Sequence, residues 1–352
     1  MAECIVEVCK IEKIYPHPNA DALELTQIKG WQCVVSLGKY QAGDLVTYIP
    51  IDSMIPLEHS DRWNITKYLS VKSTSNDMDL PVEAGRVRCA RLRGEPSFGV
   101  VIDREDPEWE EGRDVKSHYG IFKYIPPIKP TAGDAEVDHA LFVNYTDIEN
   151  LRNFPDILEV GEEVIVTEKL HGTNCRVGSI EGELMAGSKG LRRKRPSDEA
   201  ISSSTYWFPF TISGVASLVE FGGSKYRQFI LFGEVYGSKI QELHYGCKGK
   251  LGFRAFDILA DGKYLNYDDF LKLCRDFGVE TVPLLYRGAY TLAKIRELSE
   301  GDTTLGEAHI REGVVVKPSV ERINPKVGRV ALKYIGDSYL FSKSADRDTH
   351  DI

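Results

Sequence analysis

The stretch Val164-Ile165-Val166-Thr167-Glu168-Lys169-Leu170-His171-Gly172-Thr173-Asn174 decides how the rest of this chain is read. Its β-branched opening is strand-like, and it delivers one lysine, Lys169, into a loop with a glycine three residues later. A lysine at the end of a buried strand is partly desolvated, which disfavours the charged form and leaves a free amine as nucleophile. Gly172 lets a phosphate approach the backbone closely. Alone the pattern is unspecific. With 31 glycines in 352 residues, Lys-x-x-Gly arises about once or twice by chance, and a strand ending in a solvated lysine is the plainer reading.

Four later segments change that weighting. Phe232-Gly233-Glu234-Val235-Tyr236-Gly237 follows the apolar run Phe229-Ile230-Leu231 and sets a carboxylate and an aromatic ring at a strand end. Phe253-Arg254-Ala255-Phe256-Asp257-Ile258 puts Phe256 where it can stack on a base. Glu312-Gly313-Val314-Val315-Val316-Lys317 is a strand with an acid at one end and a lysine at the other, and Arg329-Val330-Ala331-Leu332-Lys333-Tyr334 is another ending in lysine. Singly, each also reads as a surface charge or as core packing.

Composition narrows the classes further. A chain of 352 residues with 42% hydrophobic, 28% charged and 10% aromatic residues is that of an ordinary globular protein of about two domains. No apolar run approaches the roughly 18 residues needed to cross a bilayer. The start, Met1-Ala2-Glu3-Cys4-Ile5-Val6-Glu7, is acidic where a secretory leader would be basic. The seven cysteines are an odd count without a Cys-x-x-Cys pair. They read as reduced, mostly buried small hydrophobes, which places the protein inside the cell, cytoplasmic or nuclear. The net charge of −9 argues against non-specific coating of nucleic acid, but a local basic cleft remains compatible with it. No Gly-x-x-x-x-Gly-Lys-Ser/Thr loop, Gly-x-Ser-x-Gly elbow or well-placed Gly-x-Gly-x-x-Gly is present, so a nucleotide is not held in one of those loops.

The first 120 residues read as short strands separated by turns, with alternation in Cys4–Val8, Gln32–Leu37 and Leu45–Pro50 and a further strand pair over Arg86–Gly94 and Ser97–Ile102. Five or six such strands in about 100 residues predict a small closed barrel of the OB type. Ile125-Pro126-Pro127-Ile128-Lys129-Pro130 cannot continue a helix or a central strand, so the linker falls there. The expected organisation is α+β: an OB-like nucleic-acid-binding barrel over 1–125, a linker over 126–140 and a mixed α/β domain over 141–352. Short amphipathic helices are predicted over Asp268–Phe277 and Leu292–Ser299.

Taken together and in this order, the segments resemble the covalent nucleotidyltransferase superfamily of DNA ligases, RNA ligases and capping enzymes, whose catalytic domain is ATP-grasp-like. In that pattern Lys169-Leu170-His171-Gly172 corresponds to motif I, Ser188-Lys189 to motif Ia, Glu234 to motif III, Phe256 to motif IIIa, Glu312–Lys317 to motif IV and Lys333 to motif V. DNA ligases and capping enzymes carry an OB domain after motif V, whereas only 19 residues follow Lys333 here, and the extra domain lies in front. The chain therefore resembles the nick-sealing RNA ligases of the Deinococcus and Naegleria type. His17-Pro18-Asn19-Ala20-Asp21-Ala22-Leu23 is also similar to tRNA-binding OB modules. His171 is a departure from the DNA-ligase pattern, which has aspartate there.

The resemblance implies ATP and Mg2+ or Mn2+ as cofactors, a lysyl-AMP intermediate on Lys169, and as partner a nicked RNA duplex or RNA/DNA hybrid carrying 3′-OH and 5′-phosphate ends. Lys317 and Lys333 would flank the α-phosphate and lower the pKa of Lys169. Glu234 and Glu312 would be metal ligands, with Glu234 alternatively on the ribose. Glu168, Gly172, Asn174, Phe256 and Val315 would form the nucleotide pocket, with adenine between the last two. Arg152 would face the nucleic acid, as would Ser188, Lys189, Arg192, Arg193 and Arg195, although a run such as Leu191-Arg192-Arg193-Lys194-Arg195 is as often a solvated face. A monomer is expected. The alternatives are a non-catalytic RNA-binding protein that kept its OB module, and a GTP-using capping enzyme.

Overall fold

The structure is a computed structural model that describes residues 4–76, 80–126, 134–237, 240, 243–306 and 309–342. They divide into two compact units, one within Ala2–Pro126 and one within Pro127–Ser344.

The first unit is built from short antiparallel strands: β1 (Glu7–Lys10), β2 (Lys13–Pro16), β3 (Leu23–Ile28), β4 (Trp31–Ser36), β5 (Leu45–Ile49), β6 (Ser53–Pro56), β7 (Ser70–Ser75), β8 (Pro81–Arg86), β9 (Ala90–Leu92), β10 (Glu95–Ser97), β11 (Val100–Asp103) and β12 (Phe122–Lys123), with one short helix, α1 (Leu57–Arg62). β5 is central to one sheet, pairing with β1 and β11, while β2-β3-β4 form a meander and β12-β6-β8-β7 another sheet. Val6, Val8, Ile49, Ile55, Trp109 and Tyr119 lie in the core. The strand expected over Arg86–Gly94 is instead divided among β8, β9 and a turn, and Ser97 and Val100 belong to different strands. Gly99 explains the second break: its φ of +140° interrupts the strand, and a Cβ there would sit 2.6 Å from the Tyr48 ring.

The second unit holds two large sheets and a two-stranded ribbon. In chain order it has β13 (Glu149–Asn150), β14 (Glu163–Lys169), β15 (Thr173–Ile180), β16 (Glu183–Ser188), β17 (Arg192–Arg193), α2 (Ser213–Lys225), β18 (Gln228–Gly237), β19 (Leu251–Ala260), β20 (Lys263–Tyr264), α3 (Tyr267–Phe277), β21 (Leu284–Ala289), α4 (Leu292–Ser299), β22 (Gly313–Pro318), β23 (Ile323–Asn324), β24 (Gly328–Arg329), β25 (Leu332–Ile335) and α5 (Asp337–Leu340). One large sheet has the order β17-β16-β15-β18-β19-β20 and the other β13-β25-β22-β14-β21, while β23 and β24 form the ribbon. Helices α2 and α3 cover the first sheet through Val215, Leu218, Phe270 and Cys274, packed on Cys175, Val177, Phe229 and Leu231. The predicted helices correspond to α3 and α4. Gly214, Gly222 and Gly223 weaken the helix propensity of α2, so its sequence carries no clear helical signal. Yet Gly222 is what lets it dock, since a Cβ there would lie 2.2 Å from the Phe229 ring.

The linker expectation reached too far. Residues 127–133 lie outside those described, but from Asp134 onward the chain is bound to the second unit. Asp134 accepts from Arg193 at 2.7 Å, Glu136 pairs with Arg192 at 3.0 Å, and Asp138 pairs with the fully buried Arg176 at 3.5 Å. None of the seven cysteines is in a disulfide, and five of them are buried. Burial pushes the thiol of Cys4 up to about 11 and those of Cys9, Cys33 and Cys274 up to about 12, so none of these is a thiolate at neutral pH. Among the described residues no helix is long and apolar enough to cross a membrane.

Candidate active site

Strand register alone collects the lysines. β22 pairs antiparallel with β14, placing Lys169 opposite Gly313, Thr167 opposite Val315 and Ile165 opposite Lys317, and Val315 is opposite Lys333 on β25. Directly opposed residues share a face, and side chains alternate along a strand. Lys169, Val315, Lys317 and Lys333 therefore stand on one face of the five-stranded sheet. Val164, Val166, Val314 and Val316 on the other face are fully buried. Lys169 Nζ donates to Glu312 Oε1 at 2.6 Å, and that carboxylate is 2% exposed. Its second oxygen, Oε2, has no hydrogen-bond partner, although the His171 Nδ1 lies 3.5 Å away.

Glu234 and Asn174 are direct neighbours on β18 and β15, with Arg254 next along on β19. Asn174 Oδ1 is buried without a hydrogen-bond partner. Gly172 is required by close approach: a Cβ there would lie 2.3 Å from the Val235 carbonyl oxygen and 2.9 Å from Glu234 Cγ. Phe256 owes its position to an irregularity. Phe232 pairs with Asp257 and Gly233 with Ala255, so Phe256 is the extra residue of a β-bulge. Bulges re-aim a side chain and free backbone groups from the ladder. Here the Phe256 carbonyl accepts from Lys317 Nζ at 3.2 Å, and its ring, partly buried, meets Tyr145 at 4.8 Å.

Lys317 is also anchored by a residue the sequence reading passed over. Its Nζ donates to Asp257 Oδ1 at 2.5 Å, while Asp257 Oδ2 accepts from Tyr145 Oη at 2.5 Å and from Arg329 Nη1 at 3.0 Å. Arg329 in turn pairs with Glu321 at 2.6 Å. Burial alone would raise the Asp257 pKa, but Arg329 and Lys317 outweigh it and hold the carboxyl below its ordinary value of 3.8. Lys317 thus enters the site as a paired cation, and its field at Lys169 is offset by Asp257, unlike the free charge expected from sequence.

Other predicted residues are occupied elsewhere. Glu168 is 1% exposed. Its oxygens accept from the Thr303 hydroxyl, the Thr304 amide at 2.9 Å and the Thr304 hydroxyl at 2.7 Å, so in this structure its carboxylate anchors the segment before Glu312. Arg152 is 5% exposed. It lies over the Tyr334 ring at 4.2 Å and donates to Ile335 O at 2.9 Å and Asp337 at 2.7 Å, which packs it beneath β25 rather than on a surface open to nucleic acid. Arg192 and Arg193 are bound to Glu136, Glu183 and Asp134. Those two members of the basic run hold the 134–136 segment and are not free for phosphate; Arg195 is exposed, with Asp198 at 3.2 Å. Ser188 closes the turn at Leu191, and the half-exposed Lys189 pairs with Asp147. Lys333 is 8% exposed on β25.

Among the described residues no cluster of three or more His, Cys, Asp or Glu side chains is arranged to enclose a metal. The donor set nevertheless suits a hard cation that keeps most of its own waters, because such ions need only one or two carboxylates plus phosphate oxygens. The unpartnered Glu312 Oε2 is the oxygen best suited to that role.

A strand-end lysine on a buried carboxylate, two further lysines on the same sheet face and an aromatic platform beside them, preceded by a small β-barrel, define the ligase class of protein. Residues 162–335 match the model of the RNA ligase family and residues 5–103 match that of an OB-fold domain; the chain belongs to the RNA ligase family. No curated protein matched in a sequence comparison. Among solved structures, it is similar to a Naegleria gruberi RNA ligase variant with ATP and Mn, at 26% identity and TM-score 0.71, covering 97% of this chain and 100% of that one. A second variant, with AMP and Mn, gives 26%, 0.70, 97% and 99%. The Naegleria gruberi RNA ligase with pyrophosphate gives 25%, 0.66, 96% and 97%.

Proposed function

We propose that this protein is an ATP-dependent RNA ligase that seals 3′-OH/5′-phosphate nicks through a lysyl-AMP intermediate on Lys169. The observation that carries the reading is Lys169 Nζ at 2.6 Å from the buried Glu312, on one sheet face with Lys333 and with Lys317, which the bulged Phe256 meets through its carbonyl. ATP and pyrophosphate, present in Naegleria structures, are the substrate and leaving group of lysine adenylation, and AMP, present in another, is what sealing releases.

Lys169 must lose its ammonium proton before it can attack, and Glu312 is the nearest base, hydrogen-bonded to it. The amine lone pair then forms the bond to the α-phosphorus of ATP while the bond to the bridging oxygen breaks and pyrophosphate leaves. Lys317 and Lys333 supply positive charge where the phosphate gains negative charge. Phe256 and Val315 hold adenine, and Asn174 Oδ1 and Glu234 face the sugar side. A Mg2+ or Mn2+ ion, held by Glu312 and Glu234, would offset phosphate charge when bound. AMP next passes from Lys169 to an RNA 5′-phosphate, and a 3′-OH attacks that phosphate and expels AMP. The amino-terminal OB unit grips the RNA or RNA/DNA duplex around the nick, with the protein acting as a monomer.

The test is covalent labelling. Protein freed of bound AMP is incubated with α-labelled ATP or GTP and Mg2+, denatured, and resolved beside Lys169→Met. Label from ATP alone, absent from the variant, is expected. Absence of label on the unaltered protein overturns the catalytic reading and leaves RNA binding by the OB unit as the function. Label from GTP instead would make the protein a guanylyl transferase.

A further inference from the structure

We propose that Tyr245 is a positioning residue for the nucleophile, its hydroxyl fixing the turn Leu170–Gly172 and with it the direction in which Lys169 presents its amine. The inference rests on the lysyl-AMP reading above.

The turn has to leave the ladders. Lys169 still pairs with Gly313 in one sheet and Thr173 already pairs with Val235 in the other, while the three residues between belong to neither. A buried N–H at such a place must find a partner outside the sheets. His171, 2% exposed, donates its backbone N–H to Tyr245 Oη at 2.7 Å. This bond joins residues 74 apart in the chain and ties down the main chain two residues after the nucleophile.

Tyr245 is placed to hold that bond rigidly. It is 5% exposed and packs with Leu170, the residue following Lys169, and with Tyr236 and Val282. Its ring meets Tyr236 edge-on at 5.3 Å and His309 at 4.7 Å. Its backbone φ is +50°, a left-handed conformation that bulky side chains rarely adopt. Gly306 packs directly on this unusual backbone, where a Cβ would lie 2.3 Å from the carbonyl carbon and oxygen of Tyr245. Backbone strain persists only where the surroundings over-determine it, and it concentrates at functional sites. Burial, and after it the charge of Glu312, pushes the phenol pKa well up, so the hydroxyl stays neutral and able to accept.

Tyr245 thus joins three segments that the chemistry needs in register: the nucleophile's turn, the loop after β18 that follows Glu234, and the segment leading to Glu312. The substitution Tyr245→Phe removes one oxygen and keeps the ring. Two reactions of the full-length protein separate positioning from general structure. One is the single-turnover rate of adduct formation as a function of ATP concentration. The other is sealing of a nicked RNA duplex whose 5′ end is already adenylated, a step in which Lys169 is not the nucleophile.

For the variant, the maximal adduct rate is expected to fall on the order of 10-fold or more, as misorientation of a reacting group does. The half-saturating ATP concentration and the sealing of pre-adenylated RNA should be unchanged. Equal adduct rates in variant and parent would overturn the proposal, as would an equal fall in both reactions, which would mark Tyr245 as a fold residue only. If the parent protein forms no adduct, the ligase chemistry itself falls, a result distinct from either of these.

Discussion

Replacing Gly172 by alanine is expected to slow lysine adenylation about 100-fold, the scale on which a displacement of about 1 Å at a reacting group acts. The added methyl would meet the Val235 carbonyl oxygen at 2.3 Å, and that carbonyl belongs to β18 at the centre of a six-stranded sheet. A flexible side chain would give way, but a sheet backbone will not. The turn must shift instead, carrying Leu170 and His171 with it and disturbing the Lys169–Glu312 bond. The residue is half-buried in a three-residue turn and its backbone is not left-handed, so the domain should still fold. Single-turnover labelling beside a thermal melt checks this. A variant rate within about threefold of the parent would mean the turn tolerates a Cβ and that the crowding does not constrain the nucleophile.

Asp257→Ala is expected to have the largest effect on stability. It leaves Lys317 and Arg329 buried without their shared counter-charge, and breaking a buried ion pair from one side costs about 3–5 kcal/mol. In a unit of this size that lowers Tm by on the order of 10 °C. Activity should fall as well, because Lys317 loses its anchor beside Phe256. Asp257→Asn keeps the shape and isolates the charge, and its pH dependence carries a definite sign. The Asp257 carboxyl titrates below its ordinary 3.8 in the folded protein. Its contribution is therefore complete above the unfolded value, about pH 4, and is lost as pH falls through the folded one. The stability gap between parent and asparagine variant should be constant above about pH 4 and close below it. Urea titrations at several pH values measure it. A gap that widened on acidification would show that the Lys317–Asp257–Arg329 cluster does not hold the carboxyl ionised.

The nucleophile segment was legible because its signals are local. A β-branched run predicts a strand, and the glycine three residues after Lys169 marks a close approach, here to Val235. The two-residue turns are equally local signals. Lys29-Gly30, Arg93-Gly94, Glu181-Gly182 and Asp261-Gly262 each join adjacent antiparallel strands with both residues at positive φ, the mirror-image turn that suits the strand twist. Reading Arg93-Gly94 that way would have placed β9 and β10 correctly.

The basic run shows the opposite case, in which distant residues set the contacts. Arg192 and Arg193 look like an exposed arm in a window of five residues, yet their partners Asp134 and Glu136 lie more than 50 positions earlier. The same separation hid Arg152, which is spent on Ile335 and Asp337.

The sequence by itself determined the order of strand, lysine, acid and aromatic segments, the two-unit organisation and the chemical types at Lys169, Glu312, Lys317 and Phe256. Those follow from side-chain period, turn chemistry and residue identity, which act over a few residues. Only the tertiary structure decided which charges are free and which are spoken for. It paired Lys169 with Glu312 across 143 residues, Lys317 with Asp257 across 60 and the His171 amide with Tyr245 across 74. A charge or a donor declares its type in sequence, but its partner is chosen by strand register and burial, which the whole chain sets together.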